Sequence, residues 1–178
     1  MQAQETALKG CFILEPRVFK DDRGYFFESF NKQTFDELVG QNVHFVQDNQ
    51  SFSQYGVIRG IHFQKGAHAQ AKLVRVLEGE VLDVAVDLRE GSPTYGQHVA
   101  VRLNAENNRQ LFVPRGFGHG FSVLSETAVF AYKCDNYYQK ASEGGIVYND
   151  PTLAIDWGIP EEKIQVSEKD LLLKEITK

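Results

Sequence analysis

The stretch Leu73-Val74-Arg75-Val76-Leu77-Glu78-Gly79-Glu80-Val81-Leu82-Asp83-Val84-Ala85-Val86-Asp87 holds two β-branched runs around one glycine. Branching at Cβ suits extended backbone, so each run predicts a strand, with Glu78-Gly79 as the tight turn joining them. Side chains alternate across a strand. Val81, Asp83, Ala85 and Asp87 therefore share one face of the second run, and Leu82, Val84 and Val86 share the other.

Further short strands are expected at 98–103, 110–113, 120–124 and 127–133, with Gly, Pro and Asn between them. This spacing points to a sandwich or barrel rather than to βαβ units. Helix is scarce. Asn31 is placed to cap a short helix in which Phe35, Leu38 and Val39 make an apolar stripe. Ser167-Glu168-Lys169-Asp170 has capping-box spacing ahead of three leucines, Leu171, Leu172 and Leu173. A small antiparallel barrel leaves strand edges unless it closes or pairs with a second copy, so a dimer is expected.

The 178 residues suit one domain, read as 1–178. A net charge of −5 argues against bulk electrostatic binding of nucleic acid. No apolar run reaches the ~20 residues of a membrane span, and residues 1–9 lack a signal peptide's apolar core. Cys11 and Cys134 form no Cys-x-x-Cys and read as reduced thiols of a cytoplasmic protein.

Taken singly, the polar residues have plain readings. Arg59 and His62, in Gly56-Val57-Ile58-Arg59-Gly60-Ile61-His62-Phe63-Gln64, would face opposite sides by strict alternation, but Gly60 permits a bulge that re-aims them. The run Val113-Pro114-Arg115-Gly116-Phe117-Gly118-His119-Gly120-Phe121 reads as a tight turn where a ligand approaches backbone, or as a glycine-rich turn with a surface histidine. Lys72 resembles an edge-strand gatekeeper with its head in water. Arg23 reads as a turn residue, Asp170 as a helix cap and Tyr132 as a core tyrosine.

Together these segments resemble the dTDP-4-dehydrorhamnose 3,5-epimerases along nearly the whole chain. The similarity runs from Asp22-Arg23-Gly24-Tyr25-Phe26-Phe27-Glu28 and Gln47-Asp48-Asn49-Gln50-Ser51 through the Arg59–His62 segment and Gln70-Ala71-Lys72. It continues through Asp83 to Arg89, Ser92-Pro93-Thr94 and the His119 segment, then ends with Asn149-Asp150-Pro151 and Ser167 to Asp170. The resemblance implies a mainly β, cupin-type antiparallel barrel (jelly roll) with a few short helices, acting without cofactor or metal on a dTDP-linked 4-keto sugar.

By position it implies His62 as base, Asp170 as the carboxylate orienting it, Tyr132 as acid and Lys72 as the cation at the keto oxygen. Arg23, Arg59 and His119 correspond to nucleotide-diphosphate contacts. Glu28, Gln47, Asn49 and Tyr138 correspond to further substrate contacts, with Glu143 and Lys169 beside them. Departures fall at Phe63, often Tyr in the family, at Gly118, often Ala, at Tyr148, often Trp, and at Gly66-Ala67, commonly proline-rich.

The proposed roles also fit elementary chemistry. Removing a hydrogen beside a ketone requires a base, a positive or donating group at the oxygen, and an acid on the other face to invert the centre. Three other readings compete: a single-carbon epimerase or 3,4-ketoisomerase on a related sugar nucleotide, a metal-dependent cupin oxygenase, and a non-catalytic sugar-nucleotide-binding cupin. The oxygenase is disfavoured because His62-Phe63-Gln64 lacks the second histidine of a His-x-His metal motif.

Overall fold

The computed structural model describes residues 1–176. Thirteen strands are present among them: β1 (Gln2–Glu5), β2 (Phe12–Glu15), β3 (Phe19–Asp21), β4 (Gly24–Phe26), β5 (Gln47–Gln54), β6 (Ile58–Gln64), β7 (Lys72–Glu78), β8 (Glu80–Asp87), β9 (His98–Asn104), β10 (Gln110–Val113), β11 (Phe117–Val123), β12 (Thr127–Cys134) and β13 (Glu143–Gly145). Two short helices accompany them, α1 (Lys32–Val39) and α2 (Glu168–Leu171). One sheet has the order β1-β2-β10-β7-β12-β5, a second β13-β6-β11-β8-β9, and β3 with β4 makes a separate hairpin. All these pairings are antiparallel.

The strands β7 and β8 form where their sequence predicts them, but they do not pair with each other. They lie in different sheets, and the chain turns the corner between sheets at Gly79. Gly79 has φ of +78°, and a Cβ there would sit 2.0 Å from the Thr127 carbonyl oxygen. Only glycine fits this position. The corner places Lys72 and Asp83 in opposing layers that share one interior.

The alternation read from β8 holds. Val81 and Ala85 enter the core between the sheets with Val74, Val76, Phe121 and Phe130, while Val84 and Val86 face outward against Ile61, Ile146, Leu153 and Trp157. Phe121 and Phe130 stack across the two sheets at 4.2 Å between centroids. On the outer face of the first sheet, α1 lays Phe35 and Val39 over Leu14, Leu73 and Phe112. Asn31 caps α1 through a side-chain bond from the Thr34 amide, and Gly40 closes it in the left-handed region. Leu38 stays only partly buried.

Two expectations are corrected. Lys72 begins β7, an interior strand between β10 and β12, so it guards no edge. His119 is neither in a turn nor at the surface. The turn ends at Gly116, and His119 lies in β11, which is buried along its whole length.

Candidate active site

A cavity of about 610 Å³ opens between the sheets. His62 and Arg59 reach it from β6, His119 from β11, Lys72 from β7, Tyr132 from β12 and Asn49 from β5, while Lys169 and Asp170 approach from α2. A smaller adjoining recess shares His62, Asn49, Lys72 and Tyr132 and adds Gln47, Phe63, Cys134, Tyr138 and Glu143.

Arg59 and His62 reach one cavity because the β6–β11 register slips. His119 pairs with His62 and Phe121 with Arg59, so Gly60 and Ile61 together oppose the single residue Gly120. Gly60 has φ of +119°, and a Cβ there would lie 2.5 Å from the Gly120 Cα. The bulge therefore requires glycine, and it turns both side chains inward.

Asp170 comes from the far end of the chain. Residues near 165 run beside β6, where Ile58 N donates to Gln165 O at 2.9 Å and Gln165 N to Gly56 O at 2.9 Å. Ser167 then caps α2 by accepting from the Asp170 amide at 3.1 Å. The Asp170 carboxylate does not act as a cap. It is 5% exposed and meets His62 Nε2 at 2.7 Å. A carboxylate there accepts from Nε2–H and leaves Nδ1 as the basic nitrogen.

From the opposite sheet come Lys72 and Tyr132. The Lys72 ammonium lies 5.8 Å from the Tyr132 ring centroid and has no hydrogen bond or ion pair among the described residues. Burial pushes its pKa below the usual lysine value. Burial also raises the Tyr132 phenol, so this group stays protonated and able to donate. Cys11 and Cys134 are both free and buried, and burial pushes their thiols up to about 12 and about 11.

At the cavity mouth Tyr138 Oη donates to Glu143 at 3.0 Å, and Lys169 Nζ donates to the other Glu143 oxygen at 2.6 Å. Gln47 Nε2 donates to Asn49 Oδ1 at 3.0 Å, and Arg59 Nε donates to Ser53 Oγ at 3.1 Å. Of the thirteen residues singled out from sequence, eleven line the cavity or its recess. Arg23 and Glu28 do not. Arg23 sits at the turn of the β3–β4 hairpin, 90% exposed and paired with Asp21, and Glu28 accepts a bond from Asn31.

Sequence reasoning passed over the stacked Phe121 and Phe130 in the cavity wall, Gln165, and the buried partner of His119, which is Asp83 at 2.8 Å. A signal for Asp83 was available in its place on the inward face of β8. Among the described residues no group of three or more His, Cys, Asp or Glu is arranged to hold a metal.

Comparison with known proteins agrees with this geometry. The sequence profile described as dTDP-4-dehydrorhamnose 3,5-epimerase matches residues 5–178. The enzyme of that name from Salmonella typhimurium is 59% identical over 153 residues, which is 86% of this chain and 84% of the relative. The crystal structure of the Elizabethkingia anophelis dTDP-4-dehydrorhamnose 3,5-epimerase superposes with a TM-score of 0.95 at 60% identity, covering 98% of this chain and 96% of that one. A Legionella pneumophila 3,5-epimerase, solved with dTDP-4-keto-L-rhamnose, superposes at 0.94 with 52% identity, covering 98% and 92%. The chain belongs to the dTDP-4-dehydrorhamnose 3,5-epimerase family.

Proposed function

We propose that the chain, as one epimerase domain, converts dTDP-4-dehydro-6-deoxy-D-glucose to dTDP-4-dehydro-L-rhamnose by inverting C3 and C5. The observation that carries this reading is the His62–Asp170 pair on one wall of a cavity whose opposite sheet supplies Lys72 and Tyr132. Neutral His62 takes the proton beside the C4 ketone. The Asp170 carboxylate stabilises the imidazolium that results. Charge then develops on the C4 oxygen, where the unpaired Lys72 ammonium is available to meet it. Tyr132 returns a proton from the other face, and the centre is inverted. Repeating the cycle at the second carbon needs no further groups, because both hydrogens flank the same ketone.

The nucleotide end is assigned to the mouth. Arg59 offers a fork-shaped guanidinium to phosphate oxygens. Tyr138 presents an exposed ring for the base, beside Gln47, Asn49, Glu143 and Lys169. Arg23 and Glu28 lie outside the cavity of their own chain, and the β3–β4 hairpin exposes Phe19, Tyr25 and Phe26 at 52, 61 and 71%. A homodimer in which this apolar arm lies on a second copy accounts for both facts, since it buries the aromatics and carries Arg23 towards the partner's cavity. Sedimentation showing a dimer at micromolar concentration supports this arrangement, and a monomer refutes it. With two reduced cysteines and a diffusible nucleotide-sugar substrate, the cytoplasm is the proposed compartment.

The test of the assignment is His62→Ala. Turnover is expected to fall ~10²–10⁴-fold, as for loss of a general base, with dTDP affinity by calorimetry nearly unchanged. Near-normal turnover refutes the role.

A further inference from the structure

Asp83 belongs to no step of the reaction described above, yet its placement is costly. It is 0% exposed, its Oδ1 meets His119 Nε2 at 2.8 Å, and its Oδ2 is buried with no hydrogen-bond partner. An unsatisfied carboxylate oxygen in a protein interior is a substantial penalty unless another charge offsets it. The compensating cation is Lys72, whose ammonium has no hydrogen bond or ion pair among the described residues and whose protonated form is favoured by Cys134 and by Asp83.

The other groups facing Lys72 do not supply that charge. From β12, the Cys134 thiol is pushed up to about 11 and the Tyr132 phenol is also raised, so both are neutral near pH 8. From β11, His119 is pushed down by burial and is neutral as well. On β6, His62 is neutral when it acts as base and Arg59 is itself a cation, while the Asp170 carboxylate is bound to His62.

We propose that Asp83 is a positioning residue for the epimerisation. Its Oδ1 fixes His119 as the Nε2–H tautomer, leaving Nδ1 as an acceptor at the cavity. Its carboxylate charge keeps Lys72 protonated through the working pH range. This rests on the reading of Lys72 as the cation at the keto oxygen. Burial alone lowers the Lys72 pKa, and Asp83 opposes that shift. Removing the Asp83 charge therefore makes Lys72 lose its proton at lower pH, and the alkaline limb of kcat moves towards neutrality.

The experiment is Asp83→Asn, which keeps the shape and a carbonyl acceptor for His119. The expected result is a roughly 10- to 100-fold lower kcat near pH 8, below the roughly 10²–10³-fold for outright loss of an oxyanion-stabilising group because Lys72 remains in place, with KM within about threefold of wild type. The alkaline limb is displaced to lower pH. A purely structural role would lower activity evenly across pH, and an unmoved limb overturns the proposal. Wild-type enzyme assayed beside it separates the two readings. If wild type turns over and D83N keeps its alkaline limb, only the role of Asp83 fails. If wild type does not act on the 4-keto sugar nucleotide, the functional reading fails. Should D83N not fold, ¹⁵N-histidine NMR of the wild-type protein decides. His119 protonated at Nε2 and neutral from pH 6 to 9 is the expected result, and an Nδ1–H tautomer overturns the proposal.

Discussion

Replacing Asp170 by Asn removes one charge at the site and little else. The carboxamide has nearly the same volume, and its oxygen can still accept from His62 Nε2 at the position where the carboxylate sits 2.7 Å away. Ring orientation and tautomer are therefore kept. What is lost is the attraction between carboxylate and the imidazolium formed on proton abstraction. Unit charges about 4 Å apart attract by about 4 kcal/mol at an effective dielectric of 20. The His62 side chain is 34% exposed to the open cavity, while that of Asp170 is 7% exposed. Solvent therefore screens part of the attraction, and a charged hydrogen bond is worth about 1.5–3 kcal/mol. A loss of about 2–3 kcal/mol in the transition state corresponds to a fall in kcat of roughly 30- to 150-fold. KM is expected to change little, because the charge matters only once the ring is protonated. Steady-state rates measured by NMR of the 4-keto sugar nucleotide read both constants, and thermal unfolding checks that the fold is intact. A folded variant with kcat within threefold of wild type refutes the role given to Asp170.

Lys72→Met is expected to lower kcat more than 100-fold, as for loss of an oxyanion-stabilising group, and also to destabilise the protein, because the buried Asp83 carboxylate loses its compensating charge. Burial depresses the folded-state pKa of Lys72, so between that value and the ordinary 10.5 the unfolded chain binds more protons and stability rises with pH. Removing the cation that compensates the buried Asp83 carboxylate should cost about 1–3 kcal/mol, at about 2–4 °C in Tm per kcal/mol for a chain of this length, and calorimetry at pH 7 would contradict this by showing an unchanged or higher Tm. Gly79→Ala puts a methyl group 2.0 Å from the Thr127 carbonyl oxygen at a φ of +78° and should cost about 2–4 kcal/mol, read as a lower urea midpoint with unchanged m.

Local features were legible from sequence where they depend on local chemistry. The caps at Asn31 and Ser167, the alternation along β8 and the glycine bulge beside Arg59 are each set by a few neighbouring residues. Strand partners were not, because pairing is decided by which faces can be buried together. The Gly79 turn looks the same in sequence whether it closes a hairpin or turns the corner between sheets. Lys72 was misplaced for the same reason, since an edge and an interior strand begin alike.

Burial misled the reading of the His119 segment. Its glycines suggested a turn, but they serve close packing: a Cβ at Gly120 would lie 2.8 Å from the Arg59 carbonyl oxygen, and one at Gly118 would press on the Ile61 side chain. The pairing of His62 with Asp170, 108 residues apart, came only from the family resemblance, and the geometry of α2 now supplies its physical basis.

The most direct test of a base on one wall and an acid on the other is isotopic. Wild-type enzyme and Tyr132→Phe are incubated with dTDP-4-dehydro-6-deoxy-D-glucose in D₂O, and NMR follows deuterium content and configuration at C3 and C5. Wild type is expected to exchange and invert at both carbons. Tyr132→Phe is expected to admit deuterium through His62 without inversion. Normal inversion by Tyr132→Phe, or wild-type exchange at only one carbon, would contradict the account.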